Sequence, residues 1–364
     1  MQSAQKSKTN GDTSLFLMKD IPQYWSPALK IGSGAFGEVM LVHSDRLDAR
    51  GEQILHNEFA LKVIRFPECD YHKIIREVNT HTLCRHHDNV LFIGSIYCQT
   101  FQQGLRVQMC LEYAALSDLS LLASSETFES HVAYICKNLI SALIHIHNLG
   151  IVHGDLSVKN ILMTHEGVVK LSDFGMANTF EQTRKSKNQS ILGTPGFVSV
   201  VVFLFEMWKN IVFIFHQNFD KRTNFKTFVK YYTIAPEIIN LQGYDGKADL
   251  WGLGILSLFL LKGENPFKKC TQFDLESYKV SISESFYPDY SNYSTPLQEF
   301  MSSLKDYNPE FRSSALHASS QTYLKTSCSQ SEILNYYKRL RRTRGMDLPW
   351  PEEIHTFSVP VSLE

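Results

Sequence analysis

The sequence predicts an α+β fold in two lobes, a small strand-rich lobe over about 26–111 and a larger helical lobe over about 112–325. Three observations predict it. Short runs such as "GEVMLVH" and "EFALKVIRF" alternate side chains at the period of two that a strand requires. After "VQMCLEYA" that period gives way to long helical stretches. One of these, "ADLWGLGILSLFLLKG", is apolar almost all round, as a buried helix is.

Residues 1–25 read as a flexible leader, and "MQSAQKSKTNGDTS" lacks the apolar region of a signal peptide. "CDYHKIIREVNTHTLC" reads as a helix with Asp70 placed to cap it. "YICKNLISALIHIHNLG" sets Ile135, Leu139, Leu143 and Ile146 on one stripe and stops at Gly150. Residues 326–364 read as a tail in which "YYKRLRRTRG" holds five basic residues within Lys338–Arg344. That run fits a solvated helix face or tail, with a nuclear-import or docking segment as the alternative.

A formal net charge of −1 supplies no global field for nucleic acid or an anionic membrane. Seven cysteines without a CxxC pair give neither a disulfide framework nor a zinc motif, so a reducing interior is expected. The most apolar run, "SVVVFLFEMWKNIVFIF", carries Glu206, Lys209 and Asn210 in its middle. Each charge at bilayer depth costs roughly 2.5–3.5 kcal/mol, which argues against a membrane span. The expectation is an intracellular protein, cytoplasmic with nuclear entry left open, whose oligomeric state the sequence does not reveal.

"IGSGAFGEV" (Ile31–Val39) is a G-x-G-x-x-G loop built on Gly32, Gly34 and Gly37. Such glycines let a backbone approach phosphates, and Phe36 at the tip would shield them from water. A dinucleotide-binding fold needs a helix after the last glycine, and "EVMLVHS" reads as a strand. Lys62 stands among apolar neighbours in "FALKV", and Glu77 in the following helix is a candidate partner, since a buried ammonium is costly unless paired. In "IVHGDLSVKN", Asp155 and Asn160 are five apart, and Asp173 of "SDFG" follows a strand-like "GVVKL". Asn and Asp oxygens suit Mg²⁺, which leaves Asp155 to orient a hydroxyl nucleophile. Each alone fits an Asx turn; the ordered set does not.

With these motifs the chain resembles the eukaryotic-type protein kinases over roughly residues 27–325, which implies the two-lobed kinase fold, ATP and Mg²⁺ as cofactors and a protein substrate. The resemblance implies that Ile31, Gly32, Gly34 and Gly37 cover the phosphates and that Lys62, paired with Glu77, binds them. It makes Asp155 the catalytic aspartate, Lys159 the catalytic-loop lysine, and Asn160 and Asp173 the metal ligands. Val39, Ala60 and Leu162 would sandwich adenine, Glu112 and Ala114 of "LEYA" would offer hinge hydrogen bonds, and Asp118 would lie near the ribose. Glu237 of "APE" would pair with Arg312, and buried Asp249 would brace the catalytic loop.

Three positions depart from that pattern. Gly154 stands where the family usually has the Arg of H-R-D, and a glycine makes no bidentate contact with an activation-segment phosphate. Ser157 replaces the lysine usual two residues after the aspartate in serine/threonine kinases, whereas Lys159 matches many tyrosine kinases. "GTPGF", with Thr194 set to contact Asp155, and "KGENPF" favour a serine/threonine acceptor; a tyrosine or dual-specificity enzyme and a scaffold pseudokinase are the alternatives. His81 stands where an aliphatic residue usually packs under the D-F-G phenylalanine, here Phe174.

The 37 residues Val198–Ile234 separate "GTPGF" from "APEII", motifs that are nearly contiguous in the resembled family. The run has no Gly, Ala or Pro and is rich in residues with AT-rich codons. It reads as a translated intron, with a genuine insert packed on the large lobe as the alternative.

Overall fold

The computed structural model describes residues 17–18, 25–34, 37–47, 53–66, 71–101, 104–123, 125, 127–184, 234–240, 242–263 and 290–345. Asp70, Phe36, Thr194 and all but the last residue of the inserted run lie outside these. The described residues fall into two units. One comprises those up to Ile75 with Phe92–Tyr113, the other Arg76–Leu91 with those from Ala114 onward.

The smaller unit is one six-stranded sheet: β1 (Leu17–Met18), β2 (Trp25–Gly34), β3 (Gly37–Leu47), β4 (Gln53–Phe66), β5 (Ile93–Phe101) and β6 (Gly104–Glu112). Its order is β1-β5-β6-β4-β3-β2, antiparallel except for the β1–β5 pair. The alternation in β4 sends Phe59, Leu61 and Val63 into a cluster with Val42. Ala60, Lys62 and Ile64 therefore share the opposite face, and Ala60 and Ile64 are buried there as well. The β2–β3 hairpin closes by pairing Gly34 with Gly37. A Cβ on Gly37 would lie 1.9 Å from the Val63 carbonyl oxygen, so the close approach of β4 requires glycine.

Helix α1 (Tyr71–Cys84) crosses the boundary between the units after Ile75. The larger unit adds α2 (Ser120–Ala123), α3 (Glu129–Asn148), α4 (Phe180–Arg184), α5 (Pro236–Ile239), α6 (Lys247–Lys262), α7 (Thr295–Leu304), α8 (Ala315–Ala318) and α9 (Gln330–Thr343). Two short antiparallel pairs, β7 (Ile151–Val152) with β10 (Asn178–Thr179) and β8 (Ile161–Met163) with β9 (Val169–Leu171), carry the loops between α3 and α4. Helix α3 buries the expected stripe, and Gly150 just past its end holds φ +72°. In α6 every residue from Ala248 to Leu261 is buried, which its all-round apolar sequence requires.

The packed region extends past the expected boundary at 325. Ser329 and Glu332 form a capping box that starts α9, and Ile333, Tyr336 and Tyr337 enter the main core. The Tyr337 hydroxyl lies 2.9 Å from the Leu116 carbonyl and 2.8 Å from that of Asp118. Arg344 donates to Ser125 Oγ at 2.8 Å, so part of the basic run fastens this helix. Among the described residues no helix is long and apolar enough to cross a membrane.

Candidate active site

The predicted site residues divide between the units. Ile31, Gly32, Gly34, Gly37, Val39, Ala60, Lys62 and Glu112 belong to the smaller one. There Val39 pairs across the ladder with Lys62, which is half-buried and pairs in turn with Met109. Ile31 is exposed and Ala60 buried. The Glu112 N–H is committed to the Phe92 carbonyl at 2.9 Å, and its carboxylate accepts from the Phe92 N–H at 3.2 Å.

The larger unit carries Glu77, Ala114, Asp118, Asp155, Lys159, Asn160, Leu162, Asp173, Glu237, Asp249 and Arg312. The loop that holds Asp155 hangs on α6. Asp249 Oδ2 accepts from His147 Nε2 and from the His153 N–H, both at 2.9 Å, and Oδ1 accepts from the Gly154 N–H at 2.8 Å. Burial pushes the Asp249 carboxyl upward, but the His147 hydrogen bond, the two neighbouring histidines and the Gly154 N–H outweigh it and hold the group below the usual range.

His153 fixes the next turn. Its Nδ1 accepts from the Asp155 N–H at 3.3 Å, so the neutral ring carries its proton on Nε2, which faces the Ser172 carbonyl at 3.0 Å. Asn160 is buried and donates from Nδ2 to the Asp155 carbonyl at 2.8 Å. Its own carbonyl accepts from the Ser172 N–H at 2.8 Å and from Ser172 Oγ at 3.0 Å. These bonds tie the Asp155–Asn160 loop to the residue before Asp173.

Asp173 adopts φ 62°, ψ 80°, a left-handed conformation uncommon outside glycine. The consequence is a turn that exposes Asp173 and buries Phe174 completely. Phe174 stacks on His81 at 4.8 Å and meets the His153 ring edge-on at 5.0 Å. His81 thus occupies the position expected of it, with Nε2 held 2.7 Å from the Leu91 carbonyl.

Among the described residues no three His, Cys, Asp or Glu side chains gather as a metal site. Asn160 and Asp173 offer hard oxygens, the donor set of a Mg²⁺ that draws its other ligands from phosphate and water. Lys159 and Asp118, given separate roles above, are ion-paired at 2.7 Å, and Asp118 Oδ1 also accepts from the Ser120 N–H at 2.8 Å. Glu237 and Arg312 pair through two hydrogen bonds of 2.7 and 3.0 Å with both side chains buried. The arginine further donates to the carbonyls of Asp306 and Lys247 and lies over the Trp251 ring.

Sequence reasoning did not assign His147, His153, Ser172 or Tyr337. The two histidines and Ser172 flank quoted motifs and would have been found by asking which polar neighbours anchor each loop. Nothing in the sequence around Tyr337 points to its partners 219 and 221 residues away.

A family model described as "Protein kinase domain" matches residues 25–202 and 213–324. A Caenorhabditis elegans protein provisionally named a tyrosine-protein kinase is 90% identical over 364 residues, covering 100% of both chains. A serine/threonine-protein kinase of Schizosaccharomyces pombe is 28% identical over 313 residues, 83% of this chain and 82% of its own. A testis-specific serine/threonine-protein kinase of Mus musculus is 30% identical over 269 residues, 68% of this chain and 61% of its own. With the family model spanning most of its length, and with Asp155, Asn160 and Ser172, the neighbour of Asp173, joined by one set of hydrogen bonds, the chain belongs to the protein kinase family.

Proposed function

We propose that this kinase transfers the γ-phosphoryl group of ATP, with Mg²⁺, to serine and threonine hydroxyls of a protein substrate. The observation that carries the reading is the hydrogen-bonded link from Asp155 through Asn160 to Ser172, the residue directly before Asp173. Asp155 orients the acceptor hydroxyl and takes up its proton as the new bond to phosphorus forms and ADP departs. Asn160 and Asp173 hold the metal, which neutralises charge on the phosphates when bound. Lys62, seated between Ala60 and Ile64 on its strand, holds phosphate from the smaller unit. A tyrosine acceptor is the second reading, supported by the place of Lys159 and by the name of the C. elegans relative.

The test is radiolabel transfer from ATP to a mixed protein substrate, followed by phosphoamino-acid analysis. Label on serine and threonine is expected, abolished in Lys62→Met and Asp155→Asn; label confined to tyrosine would select the second reading.

A further inference from the structure

We infer that Arg76 is a positioning residue that fastens the segment after Asp173 to the helix carrying Glu77, and does so without a phosphate. The inference rests on the phosphoryl-transfer reading above. Arg76 donates from Nη1 to Asn178 Oδ1 at 3.3 Å, across 102 residues of sequence. Asn178 spends its other end on the same segment, donating from Nδ2 to the Met176 carbonyl at 3.0 Å. Buried Tyr244 lies close to the same amide and near enough to Asp249 and Arg76 for both charges to act on it.

Two further contacts come from the same helix. A Cβ on Gly175 would lie 3.4 Å from Asp173 Oδ1 and 3.5 Å from Glu77 Oε2, so the Glu77 carboxylate stands at the D-F-G turn. One helical turn further on, His81 stacks on Phe174. Residues 76, 77 and 81 of α1 thus meet residues 178, 175 and 174 in register.

Gly154 explains why an arginine from α1 serves here. A Cβ at position 154 would meet the Met176 carbonyl at 3.2 Å, and that carbonyl is the one Asn178 holds. The catalytic loop brings no side chain to this place. The guanidinium comes instead from α1, and its acceptor is a neutral amide already built into the chain. A switch of the usual kind orders this segment through an arginine–phosphate pair; here an arginine–asparagine pair that needs no modification takes its place. Thr183 is buried and bonded to the Phe180 carbonyl, so it is not presented for phosphorylation, whereas exposed Thr179 has its hydroxyl oxygen accepting from the Gln182 N–H.

The test compares the full chain with Arg76→Ala, Arg76→Lys, Asn178→Ala and the double alanine variant. Steady-state kinetics and hydrogen exchange of amides 176–184 are read for each. Arg76→Ala should lower kcat about tenfold or more with KM for ATP little changed, and should speed exchange in that segment. Asn178→Ala should reproduce both effects, Arg76→Lys should recover part of each, and the double variant should be no worse than either single one. Phosphatase treatment of the wild type should leave activity unchanged. Unaltered exchange and kcat in Arg76→Ala, additive losses in the double variant, or inactivation by phosphatase would overturn the inference. A wild type that transfers no phosphate would refute the functional reading instead, and the exchange comparison would still decide the clamp. Should Arg76→Ala fail to fold, Asn178→Ala carries the same readouts.

Discussion

Gly154 donates its backbone N–H to Asp249 Oδ1 at 2.8 Å while holding φ at +76°. The two facts belong together. The brace from α6 reaches this N–H only in a left-handed turn, a conformation that costs an L side chain roughly 1–2 kcal/mol.

Gly154→Ala should therefore destabilise the larger unit by about 1 kcal/mol or more, with the 3.2 Å approach of the Met176 carbonyl adding to the strain. Urea unfolding of the variant tests this. Wild-type stability would mean that the loop relaxes without loss.

Asp249 should set part of the acid limb of the stability curve. Its carboxyl is held below the usual value in the folded chain, so its contribution is complete above the unfolded value of about 3.9 and is lost as pH falls through the lower folded one. Asp249→Asn should lower stability at pH 7 and flatten the decline below about pH 4. A variant whose acid limb still matched the wild type would remove Asp249 from the account.

Breaking the Glu237–Arg312 pair leaves one buried charge uncompensated, at a cost of about 3–5 kcal/mol. Arg312→Ala should consequently reduce the yield of folded protein. Glu237→Gln with Arg312→Met should be less damaging, because no lone charge remains. If the double variant were the worse one, the pair would be stabilising in its own right.

Lys305, at the end of α7, is buried beside the Tyr290 ring, and burial followed by the Lys262 charge pushes its ammonium down to about 7. The unfolded chain binds this proton up to its ordinary value of 10.5, so stability should rise between pH 7 and 10.5 and fall as pH drops toward 7. Lys305→Met should stabilise the protein at pH 7 by about 1 kcal/mol or more and remove that rise. Thermal unfolding at pH 7 and 9 reads both effects, and a destabilised variant would sink the argument.

Much of the fold was legible because its signals are local. The period of β4, the stripe of α3 and the all-round apolar face of α6 each follow from burial of neighbouring residues. The Glu237–Arg312 pair was legible from ordered motifs, as was the sequence order of Asp155, Asn160 and Asp173. What held them was less visible. That Lys159 answers to Asp118 depends on how two loops meet, and no spacing rule encodes it. The packing of α9 was also missed, since its basic residues conceal an apolar stripe of Ile333, Tyr336 and Tyr337.

That last helix has a consequence for how the protein is made. The carbonyls of Leu116 and Asp118 wait for a hydroxyl that leaves the ribosome 221 and 219 residues later. Until α9 has emerged, the turn at Ser117, which carries a positive φ of 67°, lacks its tether. Nascent chains stopped before Tyr337 should hold every candidate site residue and yet leave this turn more open to proteases, so the larger unit completes its folding only near the end of synthesis.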